Sequence, residues 1–69
     1  MNHTEANHRR AKRCGKVLRR YGTDNTDRCC LIDFLADARH WCDRHGHCFA
    51  KLDRIAYQHY AAELNGMEA

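Results

Sequence analysis

Asp27-Arg28-Cys29-Cys30-Leu31-Ile32-Asp33-Phe34-Leu35-Ala36-Asp37-Ala38-Arg39-His40-Trp41-Cys42-Asp43-Arg44 decides the fold of this chain. Within it Cys30, Leu31, Phe34, Leu35, Ala38, Trp41 and Cys42 recur at helical spacing and mark a wide apolar face. Arg39, Asp43 and Arg44 fall on the opposite side. Thr26 or Asn25 precedes the stretch, where a side-chain oxygen accepts from an early amide, and Asp27 occupies the first turn, where negative charge meets the helix dipole. Gly46 follows it, with Arg44 and His45 in the last turn, where positive charge is favoured. The pattern predicts a core helix over 26–45.

Working outward, the short link Gly46-His47 leads into a second periodic segment, predicted as a helix over 48–64 and closed by Asn65-Gly66. Phe49, Leu52, Ile55, Ala56 and Tyr60 line one side of it. So short a link allows only an αα-hairpin or a sharp corner. On the other flank, 5–21 reads as a third helix, with Thr4 as N-cap, Glu5 in the first turn and Gly22 past the end. Its apolar stripe, Ala11, Cys14, Val17, Leu18 and Tyr21, is narrow, and Gly15 in its middle costs about 1 kcal/mol relative to alanine. Residues 1–8 have little to bury and are expected to fray, as are 66–69. Gly22 to Thr26 is a loop rich in turn formers. With no proline and four glycines, the chain is read as all-α: one small domain over 1–69, a bundle of two to three helices built around the hairpin.

Sixty-nine residues bury a small core, and chains of this size draw on disulfides, a metal or a second copy of themselves. Leu31, Phe34, Leu35, Ala38, Trp41, Leu52, Ile55 and Ala56 are the expected core. Phe34, Trp41, Phe49, Tyr57 and Tyr60 are more aromatic surface than so short a bundle covers, which points to a homodimer formed through the second and third segments. The five cysteines, an odd number, read mostly as core thiols in a reducing compartment. The amino-terminal stretch is polar and basic without an apolar stretch of signal-peptide type, and no window approaches the ~18 apolar residues of a membrane span. A cytoplasmic protein with no membrane partner is expected.

The net charge of +3 hides an asymmetry. Residues 1–22 carry seven Lys/Arg against one Glu, and residues 23–69 five against eight Asp/Glu. Arg9, Arg10, Lys12, Arg13, Lys16, Arg19 and Arg20 therefore form a basic helix on a mildly acidic body. Such a helix suits three roles: docking on an acidic protein surface, contacting the phosphates of a nucleic acid, or a solvated face. The lack of interleaved aromatics and of any known base-reading motif favours the protein partner. Trp41, Tyr57 and Tyr60 join these cations as candidate partner-binding residues.

Chemistry is harder to place. His40, Cys42, His45, His47 and Cys48 fall within nine residues and are candidate zinc ligands, although no Cys-x-x-Cys spacing is present. The simpler reading places the cysteines inside and the histidines at a polar helix corner. Asp33 and Asp37, one turn apart, read as solvated carboxylates on a polar face, because the second acidic pair of a magnesium-dependent helical pyrophosphatase is missing. Serine is absent, and Cys29 and Cys30, in the first turns of the central helix, make no convincing nucleophile. No cofactor is implied, and the chain is read as a binding protein and not an enzyme.

From Leu31 through Asp33-Phe34-Leu35, Asp37, His40-Trp41-Cys42-Asp43 and Gly46, followed by Phe49, Leu52 and His59-Tyr60, the chain resembles a group of short helical proteins encoded by bacterial phages, plasmids and genomic islands. The resemblance covers 31–60 and leaves the basic segment outside. It implies accessory cargo of a mobile element, a small protein that binds and modulates, typically inhibits, a host protein complex. The residue-level alternatives are a basic nucleic-acid-binding protein using 5–21 and a small zinc module using 40–48.

Overall fold

A computed structural model describes residues 3–22 and 26–66. It contains three helices, α1 (His3–Arg19), α2 (Asp27–Arg44) and α3 (Phe49–Leu64), and no strand among the described residues. The all-α fold and its hairpin are as the periodicity predicts.

The ends of α2 are set by local chemistry. The Thr26 hydroxyl accepts from the Cys29 amide at 3.2 Å, which satisfies one of the amides that a helix start leaves orphaned. At the other end Gly46 takes φ +74°, a left-handed conformation in which a side chain is strained. That turn brings the His47 amide back to the Cys42 carbonyl at 2.9 Å, the six-residue closure of a Schellman motif. Cys48, extended, then starts α3 without a side-chain cap.

Each helix meets the other two at a different point. Tyr21, just past the end of α1, packs edge-to-face on Phe34 of α2 with ring centroids 5.6 Å apart, and its hydroxyl donates to Asp37. The amino-terminal half of α1 meets the last turn of α3: Asn7 Nδ2 donates to the Glu63 carbonyl at 2.9 Å, and Arg10 Nε lies 3.2 Å from the Glu63 carboxylate. α2 and α3 join at the hairpin, where the Arg39 guanidinium lies 4.1 Å above the Phe49 ring in a cation–π contact. α1 thus bridges the other two helices away from their hairpin.

The frame is flat, 37 × 31 × 15 Å, with a radius of gyration of 13.9 Å, against about 11 Å for a compact chain of this length. Among the described residues only Cys30 and Cys42 are buried, at 3% and 4% exposure. The predicted core is therefore corrected. Ala38 is half-buried, but Leu31, Phe34, Leu35, Trp41, Leu52, Ile55 and Ala56 are exposed. The apolar pattern is real, but a helix in a single flat layer has neighbours only at its sides, and the groove between α2 and α3 stays open.

Three smaller expectations also change. Residues 3–8, expected to fray, are helical and tied by Asn7 to α3. Thr4 lies inside the first turn and is not the cap. The inner face of α1 is not the stripe Ala11, Cys14, Val17: those three are exposed, and Ala6, Asn7, Arg10, Gly15, Leu18 and Tyr21 are half-buried. A polar Asn–Arg–Glu cluster does at that contact what carbon was expected to do.

Candidate functional site

Two surfaces stand out. The first is the outer face of α1. At 100° per residue Arg9, Lys12, Arg13, Lys16, Arg19 and Arg20 fall within an arc of about 120°, and all six are exposed. From Arg9 to Arg20 the stripe runs about 16 Å. Arg9–Arg13, Lys12–Lys16 and Lys16–Arg20 are like charges one turn apart, each pair unfavourable by about 0.2–0.5 kcal/mol.

Arg10 is the exception among the sequence candidates. It is half-buried on the opposite side of the helix, where Nη1 donates to Asn7 Oδ1 at 2.8 Å and Nε pairs with Glu63. Reading the run as a block of cations missed this. The signal that separates it is angular: Arg10 lies about 100° from Arg9 on the wheel, on the side shared with Asn7 and Leu18.

The second surface is the V between α2 and α3. A groove of about 470 Å³ is lined there by Phe34, Leu35, Ala38, Trp41, Phe49, Leu52 and others, with Asp53 the one charged residue. Trp41, 54% exposed, is held at the hairpin end by two histidines. His45 stacks on it at 4.3 Å between centroids and 21° between planes, His47 at 5.5 Å and 15°, and His45 Nδ1 is 2.9 Å from the Trp41 carbonyl. Along α3, Tyr57 is 65% exposed and its ring lies 6.2 Å from that of Tyr60.

These contacts decide how the His/Cys run is used. Cys42 is buried, Cys48 is exposed, and His45 and His47 face Trp41. Among the described residues no group of three or more His, Cys, Asp or Glu side chains comes together to hold a metal. Asp33 is exposed, and Asp37 accepts from Tyr21, so the carboxylate pair is split between solvent and a helix contact. Of the five thiols only Cys30 and Cys42 are core, while Cys29 is intermediate and Cys14 and Cys48 are exposed. Among the described residues no helix is long and apolar enough to cross a membrane.

Comparison with models of known protein families, with curated proteins and with solved structures gives no match. The two surfaces carry the functional reading by themselves.

Proposed function

We propose that this is a non-catalytic cytoplasmic binding protein, accessory cargo of a phage or other mobile element, that docks on an acidic surface of a host protein complex through α1 and inhibits or otherwise modulates it. It acts as a homodimer, joined through α2 and α3.

The observation that carries the reading is the segregation of charge on α1. The outward arc holds six cations whose like-charge spacings are unfavourable along the helix, while Arg10, which pairs with Glu63, points the other way. A charge distribution that costs stability where it stands is accounted for by an anionic partner, which relieves the repulsion and steers association. The stripe offers no stacking side chain among its six members, which favours a carboxylate-bearing protein over exposed bases.

A single variant tests this. Arg13→Gln/Lys16→Gln/Arg20→Gln removes half of the outward arc and leaves Arg10 in place. Tagged wild-type protein is expected to capture an acidic host protein that the variant captures poorly, with the loss falling mainly on the association rate. In parallel, unrelated duplexes are tested by mobility shift across a salt series. Micromolar or tighter duplex binding at about 150 mM salt, lost in the variant, would transfer the stripe to nucleic acid.

A further inference from the structure

We infer that the open α2–α3 face is one half of a core shared between two chains: a second copy covers it by two-fold docking, and the lone protomer does not hold its fold. This deepens the homodimer reading above and rests on it.

The first argument is area. The protomer exposes 6124 Å², whereas a compact folded chain of 8.1 kDa exposes about 4,500 Å². The excess is about 1,600 Å² per chain. A dimer of ordinary size hides about 800 Å² per partner, and obligate dimers hide up to two or three times that. Summed over the whole chain, that excess is of the size hidden per partner in obligate dimers, whose interfaces resemble a domain core cut in half.

The second argument is what the surface is made of. Among the described residues no large side chain is fully buried, and Leu31, Ile32, Phe34, Leu35, Leu52 and Ile55 all remain substantially exposed. Two buried cysteines do not offset the chain entropy of three helices. The missing core residues are the ones at the predicted core positions, so the sequence encodes a core that the protomer leaves open.

The third argument selects the occupant. With Asp53 the one charge in its lining, the groove is chemically unlike the acidic surface that suits α1. A second copy brings the same apolar patch, and a two-fold contact places that patch against itself. It also brings a ridge for the groove: Trp41, at the groove's end, with its ring braced by His45 and His47. Arg39, fixed over Phe49 at the groove edge by the ring and by its bond to the Leu35 carbonyl at 3.1 Å, adds a cation to the interface in which Asp53 is enclosed.

Sedimentation equilibrium and helical circular dichroism on the full chain in reducing buffer, from about 1 to about 100 μM, test the inference. The expected mass is about 16 kDa, twice the 8.1 kDa of one chain. Helical signal and mass are expected to fall together on dilution, with a melting temperature that rises with concentration. Trp41→Ala is expected to move that transition to at least about 30-fold higher concentration. A folded monomer with a concentration-independent melting temperature overturns both the homodimer and the shared core. A dimer that dilutes into a folded monomer overturns the shared core alone. A chain unfolded at every concentration assigns the face to a different protein, and a larger assembly overturns two-fold docking. None of these outcomes depends on the acidic partner of α1, whose capture is a separate measurement.

Discussion

α1 and the α2–α3 hairpin solve opposite problems. α1 turns a polar, partly charged face inward, Asn7 and Arg10 against Glu63, and an arc of six cations outward, with Glu5 as the one acid at its start. The hairpin turns an aromatic and aliphatic face outward, and among its described residues only two thiols are buried. Charge at a surface stays hydrated at little expense, but carbon at a surface loses the burial worth about 25 cal/mol per Å². On the proposed reading the same exposure has two meanings: on α1 it is a docking face for a partner, and on the hairpin it is half of a core completed by a second copy.

The strongest way to break this contrast is at the hairpin. Leu35 is 39% exposed in the protomer, and if it stayed so, its partly covered side chain would make Leu35→Ala cost about 1.5 kcal/mol or less. In a shared core it should cost about 2–5 kcal/mol. Urea denaturation at fixed protein concentration separates the two ranges, and Leu35→Asp should abolish the folded state outright.

Next in size is Trp41→Ala, read by the dimer dissociation constant. As an anchor between protomers it should lose about 2 kcal/mol or more. Loss of the stacks on His45 and His47 alone accounts for about 0.5–1.5 kcal/mol. A result in the smaller range confines Trp41 to a brace for the turn.

The inner contact of α1 sharpens the comparison from the other side. The Arg10 and Glu63 side chains are 32% and 22% exposed, so solvent screening limits their pair. Glu63→Gln is expected to cost about 1 kcal/mol or less and to lose most of its effect in high salt. A thermal melt in low and high salt checks both. By contrast, Arg13→Gln/Lys16→Gln/Arg20→Gln is expected to leave stability unchanged or raise it by a few tenths of a kcal/mol per relieved pair. A large loss of stability in that triple variant would show that the outward arc belongs to the fold.

Two glycines give effects of opposite sign. Gly46→Ala meets nothing within 4 Å, yet the φ of +74° there should cost about 1–2 kcal/mol. Gly15→Ala places a Cβ 3.6 Å from Arg19 Nη1, an ordinary contact, and should stabilise α1 by up to about 1 kcal/mol. Opposite signs in the two melts follow from backbone conformation alone.

How much of this was legible in the sequence follows the range of the forces. The Thr26 cap, the Gly46 turn and the bounds of α2 and α3 are set within four or five residues, and they read directly. The arc of cations was readable once each residue was given its angle. Arg10 was not, because its role depends on Glu63, distant in sequence, and on which side of α1 faces α3. The same holds for Arg39, placed on the polar side of α2 by its period, whose long side chain nonetheless reaches the ring of Phe49.

By itself, then, the sequence determined where α2 and α3 start and stop, that Gly46-His47 turns the chain back, and which residues form an apolar face and which a basic one. These are local matters of capping, propensity and period. Only the tertiary structure decided that the apolar face of α2 and α3 stays open. Periodicity states that a face is to be buried but not by what, because burial is a property of the distance between helices. Here that distance is set by three point contacts, Tyr21 on Phe34, Asn7 and Arg10 on Glu63, and Arg39 on Phe49. Together they hold the helices in one flat layer.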